Sequence, residues 1–63
     1  MNDIITENEA LEMINRTIEL DIPEELKQKL LGTILFNFRQ SYNVLRTYND
    51  VQAVLKAWEK FEN

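Results

Sequence analysis

Apolar positions repeat with a helical period in three stretches of the chain. The apolar stripe of the first stretch consists of Leu11, Ile14 and Ile18. Just before this stretch, Thr6 and Glu9 have the spacing of a capping box, in which each side chain satisfies a backbone amide of the other residue. The pattern predicts a helix over residues 7–20.

A second helix is predicted to begin at Pro23. Proline suits the first position of a helix and disfavours helical backbone at the residue before it. The apolar positions then keep a helical period: Leu26, Leu30, Ile34, Phe38, Leu45 and Tyr48. An isolated glycine inside a helix costs only about 1 kcal/mol. We therefore expect one continuous helix over residues 23–48 that passes through Gly32; a helix that ends at Gly32 is the alternative.

The third stretch is the most regular amphipathic segment of the chain. Asn49 and Asp50 are both residues that cap helix N-termini well. The apolar face that follows consists of Val51, Val54, Leu55, Trp58 and Phe61. A third helix is predicted over residues 50–62, so the sequence as a whole predicts an all-α, three-helix chain with a long central helix and a single domain over residues 1–63.

The predicted central helix is long for so small a protein. A helix of about 25 residues is about 37 Å long, whereas a compact globule of this size is about 27 Å across. Leu35 and Phe36 also lie about 100° and 160° from Ile34 around the helix axis, so this part of the helix is apolar on nearly every side. The sequence favours contact of these residues with another molecule; the alternative is that the two other helices cover them.

We therefore expect self-association and binding of another protein. In a 63-residue chain without cysteine, hydrophobic burial and the entropy cost of ordering are about equal, and a partner surface is a usual source of extra stability. The expected assembly is a helical-bundle homodimer formed through the central helix. The expected partner-binding residues are two apolar anchors, Leu35 and Phe36, and four polar rim residues, Arg39, Gln40, Asn43 and Arg46.

The residue types that most often perform chemistry are missing. The chain contains no cysteine, no histidine and one glycine, which excludes thiolate or imidazole catalysis and a glycine-rich phosphate loop. We expect no enzymatic activity, no cofactor and no metal site. The first residues have neither a cationic region nor a long apolar run, so a cytoplasmic location is expected. Small acidic helical proteins of this kind commonly act as regulators, inhibitors or adaptors, including those of phages and mobile elements.

Charge is distributed unevenly along the sequence. Residues 1–25 contain eight acids and one base, residues 26–49 contain four bases and no acid, and the net charge of the chain is −4. A basic segment with interspersed aromatics suits nucleic acid, and the residues that would serve this alternative are Lys29, Arg39, Tyr42 and Arg46. The acidic pI of 4.6 argues against it. A purely structural assembly subunit is a further alternative.

Overall fold

The computed structural model describes residues 4–62, which form three α-helices. Helix α1 spans Glu7–Glu19, α2 spans Glu24–Arg39 and α3 spans Val44–Glu62. The predicted all-α, three-helix class is confirmed. The predicted helix boundaries are confirmed at the first connection and wrong at the second.

Helix α1 begins as the capping box predicts. The Thr6 hydroxyl accepts a hydrogen bond from the Glu9 amide at 3.2 Å, and the Glu9 carboxylate accepts one from the Thr6 amide at 3.2 Å. Ile5 and Ala10, on either side of this box, are both buried. The chain then turns before Pro23, and the Pro23 carbonyl accepts hydrogen bonds from the amides of Leu26 and Lys27. The start of α2 therefore lies within one residue of the prediction.

The prediction of one central helix over residues 23–48 is wrong, because the chain leaves the helix at Gln40. Ser41 adopts a left-handed conformation with φ 59°. Its amide donates to the carbonyl of Phe38 at 3.1 Å, and the amide of Tyr42 donates to the carbonyl of Asn37 at 3.0 Å. These two bonds define a Schellman motif, which satisfies the free carbonyls at the end of α2 without the glycine that usually marks it.

Helix α3 begins six residues earlier than predicted. The Asn43 side chain accepts from the Arg46 amide at 2.6 Å, which is the hydrogen bond of an N-cap residue. The expected caps, Asn49 and Asp50, lie inside α3 instead. Since α2 has 16 residues, it is about 24 Å long. The expectation that a long central helix must project beyond its own chain is therefore wrong.

The core lies along α2, which has α1 on one side and α3 on the other. Leu30 and Ile34 of α2 are completely buried. Ile34 forms a cluster with Ile5 and Ala10, and partly buried apolar residues surround it: Met13, Ile14, Phe38, Val44 and Val51. The Ile5 amide donates to the carbonyl of Tyr42 at 2.9 Å, so the segment before α1 is tied to the α2–α3 turn.

Several residues of the predicted apolar faces point away from the core. Leu11 and Ile18 remain about half exposed, while Ala10 and Thr17 take the inner positions of α1. These smaller residues let α1 approach α2 closely. Leu45 and Tyr48 belong to α3 and are exposed, because the break at Ser41 removes them from the helical phase of α2.

The contact between α2 and α3 contains a polar pair as well as apolar side chains. Asn37 and Thr47 are both buried. The Asn37 amide nitrogen donates to the Asp50 carboxylate at 2.9 Å, and the Thr47 hydroxyl donates to the Asn43 carbonyl at 3.1 Å. The first bond joins α2 to α3 close to the turn, whereas the second lies within the start of α3.

The helical body is elongated, with extents of 40 × 18 × 14 Å. Its far end, at the C-terminal part of α3, is less well covered: Trp58 is half-buried and Phe61 is 90% exposed. Phe61 was expected on the apolar face of the third helix and does not contribute to the core. Between Ile4 and Glu62, none of the helices has the length and apolarity of a membrane span.

Candidate protein-binding surface

One side of α2 is covered by neither of the other helices. Apart from its first residue, every exposed residue of α2 lies on this side, opposite the buried Leu30 and Ile34. We call this surface the outer face of α2; it consists of Glu25, Gln28, Lys29, Gly32, Leu35, Phe36 and Arg39. Helix α2 is continuous through Gly32, as the sequence predicts.

Two large apolar side chains stand on the outer face. Leu35 is 47% exposed and Phe36 is 55% exposed. The alternative in which α1 and α3 cover both of them is therefore wrong. The reason lies in the helical phase, since these residues point about 100° and 160° away from the buried Ile34.

A shallow hollow lies beside these two side chains. Gly32, Leu35, Phe36 and Arg39 line it together with Gln40. The first four have the spacing i, i+3, i+4 and i+7, which is the arrangement that receives a side chain from a facing helix in knobs-into-holes packing. A Cβ atom added at Gly32 would meet nothing within 4 Å, so the fold of this chain does not require a glycine there.

The six predicted partner-binding residues separate into two groups. Leu35, Phe36, Arg39 and Gln40 line the hollow on α2. Asn43 caps α3, and the Arg46 guanidinium lies 4.9 Å from the centre of the Tyr42 ring. The last two residues thus already have intramolecular roles in the α2–α3 turn.

An open groove of about 690 Å³ runs between α2 and α3 next to the hollow. The Phe36 and Tyr42 rings meet edge to face across one end of it, with their centroids 6.1 Å apart. Tyr42 was not expected to support Phe36. The two residues hold positions of the Schellman motif that are often joined by an apolar contact, but this signal is readable only once the helix end is known.

The outer face carries one acidic and two basic residues, with Glu25 at its N-terminal end, Lys29 four residues later and Arg39 at its C-terminal end. Lys29 and Arg39 are exposed, and Glu25 lies in the first turn of α2. Among residues 4–62 the ion pairs are Glu12–Arg16 at 2.7 Å, which the sequence predicts, and Arg46–Asp50 at 3.8 Å. Neither pair uses a charge of the outer face, so these groups face solvent.

The geometry does not favour the nucleic-acid alternative. Base stacking needs a free aromatic face, but the Arg46 guanidinium occupies a face of Tyr42 and lies near the Asp50 carboxylate. Of the four residues expected to bind nucleic acid, Lys29 and Arg39 are the two that carry uncommitted charge. Two separated cations give little phosphate affinity.

No cluster suited to metal chemistry occurs in the part of the chain that the structure describes, where no three acidic, histidine or cysteine residues come together. The outer face carries one carboxylate, Glu25, and no serine, threonine, cysteine or histidine. What it offers is apolar area, a hollow of helical spacing and a charged border. Comparison with known proteins found no matching family model, no matching curated protein and no matching solved structure.

Proposed function

We propose that this protein is a non-enzymatic protein-binding module that acts through the outer face of α2. In this proposal it is a small acidic helical regulator, inhibitor or adaptor, and it works by covering a surface of its target. The proposal includes self-association through the same face. The observation that supports this proposal most strongly is that Leu35 and Phe36 are half exposed. They lie beside a hollow whose lining residues have the spacing that receives a side chain from a facing helix.

The arrangement of the outer face supports this proposal. Aromatic side chains in the middle of a surface, surrounded by polar residues, are the usual anchors of protein interfaces. Phe36 contacts Tyr42 edge to face, which restricts its ring and reduces the entropy lost when a partner contacts it. Arg39 and Gln40 form the polar border on the turn side of the hollow.

Asn43 and Arg46 have an indirect role in this proposal. Asn43 starts α3, and Arg46 packs on Tyr42, which in turn contacts Phe36. They therefore position the anchor, while Leu35, Phe36, Arg39 and Gln40 make the contact. Substitution of Arg46 is expected to weaken binding less than substitution of Phe36.

Affinity capture with matched variants tests the proposal. The immobilised wild-type chain, Phe36→Asp and Phe61→Asp are incubated with extract of the native host, and retained proteins are identified by mass spectrometry. Phe61 is the control because it is an exposed aromatic at the far end of α3, where it lines a separate hollow with Trp58, Glu25 and Lys29. A target is expected to bind the wild type and Phe61→Asp but not Phe36→Asp. The purified pair is then titrated by calorimetry, where Phe36→Asp should weaken binding by at least about tenfold.

Two results would contradict this proposal. One is equal retention of every bound protein by Phe36→Asp and the wild type, which would remove the outer face from the site. The other is loss of the target with Phe61→Asp alone, which would move the site to the far end of α3. Circular dichroism of both variants confirms that the helices are intact.

A further inference from the structure

We propose that the outer face of α2 is self-complementary and that two copies of the chain pair through it as antiparallel helices that cross at Gly32. This inference rests on the proposed function and makes it specific, because it names a second copy of this chain as an occupant of the face. It also fixes the direction and the register of the pairing.

The residues of the outer face are placed symmetrically about Gly32. The exposed positions of α2 lie three, four and seven residues to each side of it, as expected for one face of a helix. In an antiparallel pair that crosses at Gly32, each position on one copy therefore lies opposite its counterpart on the other. A two-fold axis then passes midway between the two glycines, and the interface repeats every contact twice.

The two ends of the outer face carry opposite charges. Glu25 lies seven residues before Gly32 and Arg39 lies seven residues after it. In the antiparallel pair, Glu25 of each copy faces Arg39 of the other, so opposite charges meet at both ends of the interface. A parallel pair would instead place like charges together at both ends, which is unfavourable. The charges thus select the antiparallel direction.

The small size of Gly32 allows a second helix to approach the middle of the outer face. Glycine lacks a Cβ atom, so two helices can approach closely where their glycines meet. Leu35 and Phe36 of one copy then lie over the part of the second copy formed by Gln28, Lys29 and Gly32. The aliphatic stem of Lys29 covers apolar side chains while its ammonium group stays in water. The open space around Gly32 is filled by the partner helix in this arrangement.

The size of the face indicates how strong the association is. Helix α2 is about 24 Å long, and its outer face has two large apolar residues. A crossing of two such helices buries less than the standard interface, which places it among weak, concentration-dependent complexes. Self-association is therefore expected in the micromolar range or weaker.

Disulfide trapping tests the register, and the chain suits it because it has no cysteine. The variants Glu25→Cys and Arg39→Cys are oxidised separately and as an equal mixture. The antiparallel register predicts a trapped dimer in the mixture, at least about fivefold above either variant alone. The control is a mixture of Arg39→Cys with Lys56→Cys, whose exposed position on α3 measures random collision.

Charge reversal gives a second readout in the same register. Glu25→Arg and Arg39→Glu each place like charges at both ends of the pair, so each alone should raise the dissociation constant of the dimer by about tenfold in sedimentation equilibrium. Their equal mixture restores opposite charges at both ends and should return to wild-type association.

Equal trapping by Glu25→Cys alone and by the mixture would overturn this inference, as would trapping no greater than in the collision control. In either case the proposed function is judged separately by the capture experiment. Loss of a target with Phe36→Asp but not with Phe61→Asp would keep the outer face as a binding site for a different protein and leave the homodimer rejected.

Discussion

The inner and outer faces of α2 carry similar side chains and have opposite environments. Leu30 and Ile34 on the inner face are completely buried, whereas Leu35 and Phe36 on the outer face are 47% and 55% exposed. The two pairs are similarly hydrophobic, so hydrophobicity does not explain the difference in their burial. Their position around the helix axis explains it, because α1 and α3 cover only part of the circumference of α2. The same kind of residue thus stabilises the fold on one face and is available for contact on the other.

The largest expected effect is on the inner face. Ile34→Ala removes a completely buried side chain from the core cluster, which costs about 2–5 kcal/mol. A domain of this size has about 3–9 kcal/mol in total, so much of the stability is lost. The neighbouring Leu35→Ala should change the stability of the dilute monomer by less than about 1 kcal/mol. Thermal unfolding followed by circular dichroism compares them, and an equal loss in both variants would contradict the difference between the two faces.

A smaller loss of stability is expected where α2 meets α3. Asn37→Ala removes the buried donor that binds the Asp50 carboxylate. Asp50 is partly exposed and also pairs with Arg46, so the loss is that of an ordinary hydrogen bond, about 1 kcal/mol. Urea unfolding of Asn37→Ala, Asp50→Ala and the double variant forms a double-mutant cycle. A coupling energy of zero would show that the hydrogen bond does not stabilise the contact between the helices.

The role of Asn43 can be decided by a matched pair of substitutions. Asn43→Ala removes the N-cap acceptor of α3 and should cost about 1 kcal/mol, whereas Asn43→Ser keeps a cap and should be nearly neutral. The free energy of unfolding of the two variants is the measurement. If both are as stable as the wild type but lose partner binding, Asn43 belongs to the contact surface and not to the cap.

The smallest effect on stability is expected at Gly32, and its sign is opposite. Gly32→Ala places a methyl group in open space and removes the entropy cost of a helical glycine, so it should stabilise the monomer by about 0.5–1 kcal/mol. On the outer face the same methyl group separates the two helices and should weaken self-association. Unfolding at low concentration and sedimentation at high concentration measure the two effects. A variant that is more stable and associates normally would exclude close contact at Gly32.

The two connections between helices show what the sequence can predict. Pro23 constrains its own φ angle and the residue before it, so the start of α2 is readable from one residue. The capping box at Thr6 is readable for the same reason, since its geometry is local. The turn at Ser41 contains neither proline nor glycine. The cap at Asn43 is local, but Asn49 and Asp50 are equally suitable cap residues. The buried bond between Asn37 and Asp50 joins positions 13 residues apart, which the periodicity of the sequence does not show.

The helix end at Ser41, which the sequence does not predict, changes one part of the predicted surface and leaves the other part unchanged. The expected projection of a long central helix is wrong, because α3 residues such as Leu45 are not part of α2. The expected exposure of Leu35 and Phe36 is confirmed, because both residues precede the break and keep their angle relative to Ile34. Asn43 and Arg46 were assigned to the surface by continuing that phase past Ser41. The structure gives both of them roles within the turn.

The most direct test of self-association through the outer face is a dilution series followed by ¹H–¹⁵N correlation spectra. The chain has a single glycine, so the Gly32 amide is easily recognised, and it lies at the centre of the proposed contact. The account predicts concentration-dependent shifts at Gly32, Leu35, Phe36 and Arg39, with smaller shifts over residues 56–60 of α3, where Ala57 and Trp58 border Glu25 and Lys29. A constant Gly32 signal throughout the series, or shifts that concentrate around Phe61, would contradict it.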